Sequence, residues 1–168
     1  MRASRHDSIP SEPVGTRFSA HRGRRGATAL LALLLSASTA AVALAGSTPT
    51  VSATNNSRLH TSILVSAQGR TLYVLNPETT HHLLCTSHSC LSTWPPFTAS
   101  AHAKLTEGGG AHGTLGLLRR SGGTTQVTLN GQPLYYFSGD SKRGEANGEG
   151  LASFGGTWHA LLASGRPR

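Results

Sequence analysis

The stretch HHLLCTSHSC, residues 81–90, concentrates side chains that coordinate metals or change redox state. His81, His82 and His88 surround Cys85 and Cys90, the two cysteines of the chain. As free thiols, the two sulfurs together with His81 and His88 form a two-imidazole, two-thiolate set suited to zinc or copper. The spacing is C-x4-C, however, with no C-x2-C knuckle, and it matches no standard zinc module. In an oxidising compartment two cysteines without other thiols pair with each other. The sulfurs are then poor ligands, and His81, His82 and His88 remain as a weak imidazole-only set. His81 and His82 are adjacent, so on an extended chain they point to opposite faces. A Cys85–Cys90 disulfide is therefore the expected state, with copper, zinc or redox handling as the alternative. The compartment decides between them.

The loop GDSKRGEANGEG, residues 139–150, places oxygen ligands at Asp140, Glu145, Asn147 and Glu149 between glycines. That resembles a calcium loop in style. It does not follow D-x-[DN]-x-[DN]-G, and Lys142 and Arg143 sit inside it. The plainer reading is a surface loop whose Asp140 caps a turn through backbone amides. Catalysis finds little footing. Glu145 and Glu149 are loop-borne in a charged setting that would not raise a carboxyl pKa. No G-x-S-x-G elbow is present, and His159 in a strand reads as structural. We expect no enzyme and no cofactor. Tyr135 and Phe137 alternate onto one strand face, with Tyr136 on the other. Together with Trp94 and Trp158 they make a candidate platform for a sugar or another flat ligand. Aromatics at alternating strand positions are more often core.

These residues must be positioned by a chain of 168 residues with 20 glycines, 8 prolines and only 13% charged side chains. Such values suit one turn-rich, strand-rich domain with a tail, rather than a helical bundle. The net charge of +8 divides evenly: residues 1–45 carry six Arg and two acids, and residues 46–168 carry nine Lys or Arg and five acids. No basic run is interleaved with aromatics, so no nucleic-acid partner is expected. Weak attraction to anionic envelope polymers fits the charge better.

RGRRGATALLALLLSASTAAVALAGS, from Arg22 to Ser47, has the parts of an export signal. Arg22, Arg24 and Arg25 make a cationic start, an uncharged Leu/Ala stretch follows, and Ala43-Leu44-Ala45 offers small residues for cleavage before Gly46. Uncut, the same stretch would cross a bilayer once, and only then is membrane contact expected. Either way the remainder lies outside the cytoplasm, which favours the disulfide. Residues 46–58 read as a flexible Ser/Thr/Asn linker.

GRTLYVLNPE (69–78) and GQPLYYFSGD (131–140) resemble each other at an offset of 62 residues. Trp94 follows Tyr73 by 21 residues and Trp158 follows Tyr135 by 23, which suggests two copies of one unit. Strands are expected for TSILVSA and RTLYVLN around Gln68-Gly69, and for TTQVTLN and QPLYYFS around Asn130-Gly131. TWHALLA would add a final strand. Residues 76–93, 95–113 and 138–156 read as loops. The expectation is an all-β, loop-rich single domain over residues 59–168. Its two hairpin-containing repeats, 60–113 and 114–164, would share one core with pseudo-symmetry.

YYFSGD, with Tyr135, Phe137 and Asp140, resembles the Tyr-x4-Asp motif of a family of bacterial secreted and lipoprotein-type repeats. GGTTQVTLNGQPLYYFSGD, NGEG, GGTWHAL and the Cys-pair-then-WPPF segment are similar to other parts of that family's pattern, over about residues 60–163. The first copy departs from it, with Leu75 and Glu78 in place of the aromatic and the Asp beside Tyr73. The Cys pair is one residue wider than is usual there, the flanking histidines are uncommon, and the lipobox cysteine is missing. The resemblance implies export and a structural acid at Asp140, and it implies no known activity. A secreted or envelope-associated, non-catalytic binding or structural module is the expected function, with an envelope polymer or protein as partner. Asp140 is expected to matter more to stability than Glu78.

Overall fold

The computed structural model describes residues 50–168. The expected N-terminal basic tail and export signal, residues 1–45, lie outside the described residues. β1 (Val51–Asn56) and β2 (Thr61–Ser66) run antiparallel, with Val51 opposite Ser66 and Asn56 opposite Thr61. β3 (Tyr73–Asn76) follows, then a short helix α1 (His88–Thr93) and the two-residue β4 (Glu107–Gly108), which pairs in parallel with β1. β5 (Leu115–Arg119), β6 (Thr125–Leu129) and β7 (Gln132–Pro133) form an antiparallel meander. β8 (Ala152–Ser153) and β9 (Gly156–Ala160) close the chain. Three small sheets result, ordered β2-β1-β4, β3-β9-β8 and β5-β6-β7. The domain is all-β apart from the six residues of α1.

The β6–β7 turn forms where it was expected. Asn130 and Gly131 take φ of 51° and 78°, the left-handed pair of a two-residue hairpin turn. The turn at Gln68-Gly69 also forms, with Gly69 at φ 78° and the Ser66 amide donating to the Arg70 carbonyl at 2.9 Å. Its second strand differs from expectation. β2 meets the returning chain only near Thr71 and Leu72, and β3 pairs instead with β9, Tyr73 opposite Ala160. Burial explains the choice, because Tyr73, Val74 and Leu75 are all fully buried and need cover on both faces. One face, with Tyr73 and Leu75, joins Trp94, Tyr135, Trp158, Cys85 and Cys90. The other, with Leu72 and Val74, joins Leu64, Val127, Leu129, Leu134 and Leu161. The same alternation puts Tyr135 and Phe137 against the first cluster and Tyr136 against the second. Stretches from both expected copies thus share each cluster.

The linker reading of residues 46–58 is corrected over the part described: Val51–Asn56 is the middle strand of a sheet. Only Val51 and Asn56 in it are buried, so its side chains carry no apolar pattern. Backbone pairing on both sides holds it, and Asn56 fastens its end. The Asn56 Oδ1 accepts from the Leu59 amide at 2.7 Å, and its Nδ2 donates to the Gly144 carbonyl at 2.7 Å. The ordered domain accordingly begins ahead of residue 59. Helix α1 lies inside the expected loop 76–93, started by Ser87, whose hydroxyl accepts from the Cys90 amide at 3.2 Å. The Pro95-Pro96 pair follows the C-cap Trp94, so the helix ends short of two turns. β4 and β8 are short pieces within the other two expected loops.

Candidate functional site

Tyr73 and Tyr135, the leading residues of the two similar stretches, face each other across an antiparallel bridge. Each donates its amide to the other's carbonyl at 2.9 Å. Their side chains then reach acids of the opposite stretch. The Tyr73 hydroxyl donates to Asp140 Oδ2 at 2.7 Å and accepts from the Gly148 amide at 3.3 Å. Asp140 Oδ1 accepts from the Asn147 amide at 2.9 Å. Around Tyr135 the acid is Glu78, whose charge raises the Tyr135 pKa further after burial has already done so. Arg120 donates to the Tyr135 hydroxyl at 3.0 Å. Burial first, and then the Asp140 contact, push the Tyr73 hydroxyl up as well, so both phenols stay neutral. They act as fixed donors and acceptors, not as bases or nucleophiles.

Glu78 is therefore no degenerate remnant. It is 1% exposed, and its Oε1 accepts from the Leu84 amide at 2.8 Å and the Cys85 amide at 2.9 Å. Those two amides open the cysteine loop. Asp140 is only half-buried. This deeper burial argues for a larger stability role for Glu78 than the comparison of the two stretches suggests. Two residues that the sequence left unremarked complete the same network. Arg120, 8% exposed, donates to Gln126 Oε1 at 2.6 Å and to the Cys85 carbonyl at 2.6 Å. Gln126, fully buried, donates onward to the Leu134 carbonyl at 2.7 Å. A long amide side chain within the strand TTQVTLN is the signal that could have pointed to it.

The opening question over residues 81–90 has a direct answer. Cys85 and Cys90 form a disulfide, with Cα atoms 5.5 Å apart and both residues fully buried. His81, His82 and His88 lie exposed beside it. Among the described residues, no three His, Cys, Asp or Glu side chains come together as a metal set. Trp94 and Trp158 do not form a ligand platform. Both are fully buried and stack on each other, ring centroids 3.8 Å apart at 4°. Phe137 covers Trp94 at 4.5 Å, and Tyr135 meets Trp158 edge-on at 5.2 Å. Neutral aromatic area of this size is worth more inside a core than on a wet face, and here no face is left open.

The calcium-style acids of residues 139–150 separate onto different partners. Asp140 holds Tyr73; Glu145 Oε2 accepts from the amides of Ser141 at 2.7 Å and Lys142 at 3.0 Å. Those amide bonds pull the Glu145 pKa down. Glu149 turns away to β9, where it meets His159 Nδ1 at 3.1 Å and the Ala160 amide at 2.7 Å. Burial raises the Asp140 pKa, against the lowering effect of the Tyr73 hydroxyl. What the loop does build is a groove of about 450 Å³ against β1, lined by residues that include Thr54, Asn55, Arg58, Lys142, Arg143 and Asn147. The loop is fastened to its floor at several points. The Thr71 hydroxyl donates to the Glu145 carbonyl, and the Gly144 amide donates to the Gly69 carbonyl at 2.8 Å. Gly69 suits the place because its φ of 78° lies in the left-handed region that other residues rarely adopt.

Residues 116–162 match the model of a family described as a secreted repeat of unknown function. The span holds Tyr135, Phe137, Asp140 and Trp158 of the second stretch, while Tyr73 and Trp94 of the first precede it. No curated protein and no solved structure matches the chain. No helix among the described residues is long and apolar enough to cross a membrane.

Proposed function

We propose, taking the match to a secreted repeat as premise, that this chain is an exported, non-catalytic binding module of the cell envelope or its surroundings. The observation that carries the reading is the fate of the motif. Tyr73, Tyr135 and Asp140 spend their polar groups on internal partners, as does Glu78 through its Oε1, and the loop that follows Asp140 is left holding an open polar groove. A motif used for fastening supports a scaffold role, and the groove supplies the binding surface. The reciprocal pairing of Tyr73 with Tyr135 supports a two-copy origin with approximate two-fold symmetry. The disulfide supports an oxidising compartment. Arg22 to Ala45 would direct export, with cleavage before Gly46.

The test is expression of the full chain in an exporting host, followed by fractionation and intact mass. The reading expects the protein outside the cytoplasm, beginning near Gly46, with a mass two hydrogens below the reduced form. A cytoplasmic, full-length protein with two free thiols would overturn it.

A further inference from the structure

We infer that the groove between β1 and residues 139–150 binds an oxyanion carried on a hydroxylated chain, such as a phosphodiester-linked polyol or a uronate-bearing glycan; this rests on the binding-module reading above. Three cations, Arg58, Lys142 and Arg143, line it, and all three are exposed. Among the described residues the ion pairs are those of Glu149 with His159 and Arg168, so none of these three cations is held in a direct ion pair, and they outnumber Glu145, the one carboxylate in the lining. Two of them are held by neutral oxygens instead. Arg58 Nη1 donates to Asn147 Oδ1 at 3.0 Å, and Arg143 Nη1 donates to the Gln68 carbonyl at 2.7 Å. That arrangement orients the guanidinium groups through neutral oxygens and leaves a net positive lining, which suits them to take an anion in a forked geometry. The one acid in the lining, Glu145, is turned onto the Ser141 and Lys142 amides.

The neutral part of the lining selects the rest of the ligand. Thr54, Asn55, Asn56, Ser57 and Asn147 offer hydroxyls and amides to a chain bearing hydroxyl groups. No aromatic side chain is in the lining, so nucleobases have nothing to stack on, and a single-stranded nucleic acid is disfavoured. Recognition by this groove is polar and electrostatic.

The test uses the exported, oxidised protein, titrated at low salt and followed residue by residue by amide chemical shift. The probes are a glycerol-phosphate oligomer, an oligogalacturonate and a neutral maltohexaose. Shifts are expected at Asn56, Arg58, Lys142 and Asn147 with one or both anionic probes, and the two probes separate phosphate from carboxylate as the source. Combining Arg58→Gln with Lys142→Gln should weaken binding by about tenfold. Arg119→Gln, an exposed cation on β5 away from the groove, should leave it unchanged. At 1 M salt, where the screening length falls to about 3 Å, binding should vanish. Maltohexaose binding as tightly as the anions, shifts centred elsewhere, or no binding by either anionic probe would each overturn the assignment. None of those results touches export, which the fractionation above decides separately.

Discussion

Replacing Glu78 by Ala removes the acceptor for two amides, those of Leu84 and Cys85, at the entrance to the cysteine loop. A buried amide left without a partner costs about 1–3 kcal/mol. The variant is also relieved of burying a carboxylate, whose Oε2 is buried with no hydrogen-bond partner. The net cost is expected to be about 2–4 kcal/mol, a fall of roughly 8–16 °C in melting temperature for a domain of this size. Asp140→Ala should cost less, about 1–2 kcal/mol: it abandons the Tyr73 hydroxyl, which keeps the Gly148 amide as a partner, and the Asn147 amide, which is exposed and can turn to water. Glu78→Gln keeps an acceptor oxygen and should recover most of the loss, which separates the hydrogen bonds from the charge. Urea unfolding followed by tryptophan fluorescence measures all three, with an unchanged slope confirming a like transition. A Glu78→Ala midpoint equal to the wild type, or one above that of Asp140→Ala, would refute the reasoning.

Exchanging both cysteines for Ala opens a loop of six residues and should lower stability by about 2 kcal/mol without altering the fold, checked by urea midpoint and circular dichroism. Gly148→Ala places a Cβ 2.7 Å from the Trp94 ring, and should cost about 1–3 kcal/mol with a change in tryptophan emission. Asp140 holds its proton more tightly when folded, since burial raises it from 3.8. Its protonated form thus contributes stability that is fully present below that value and is lost as pH rises through the raised one. Asp140→Asn should gain on the wild type as pH climbs through that window; urea midpoints taken at a series of pH values read the difference, and parallel curves would contradict the burial effect.

The hairpin at Asn130-Gly131 was legible because its two residues demand a left-handed backbone that other pairs resist. The disulfide was legible from two cysteines in a chain expected to be exported. The all-β class followed from glycine-rich turns between short apolar runs. β1 was not legible, because Val-Ser-Ala-Thr-Asn-Asn buries only its ends and is held by backbone bonds, which leave no mark on side-chain pattern. The partners of Glu78 were not legible because they lie six and seven residues onward in its own loop, whereas the comparison of stretches weighed residue type alone. Arg120 was one of several scattered cations until β5 and β6 turned it inward onto Gln126. The groove was invisible for a similar reason, since Arg58 and Lys142 are far apart in the chain and only the fastening of the loop brings them to one wall.

The central claim is that the motif tyrosine and acid fasten the groove-bearing loop. Amide hydrogen exchange at Asn147 and Gly148 in Tyr73→Phe tests it most directly, because the first amide is held by Asp140 and the second by the Tyr73 hydroxyl itself. Loss of that hydroxyl should release both amides by about tenfold in exchange rate, corresponding to about 1.4 kcal/mol, while the amides of β6 stay protected. Unchanged protection at both amides would show that the loop stands without the motif, and would contradict the account.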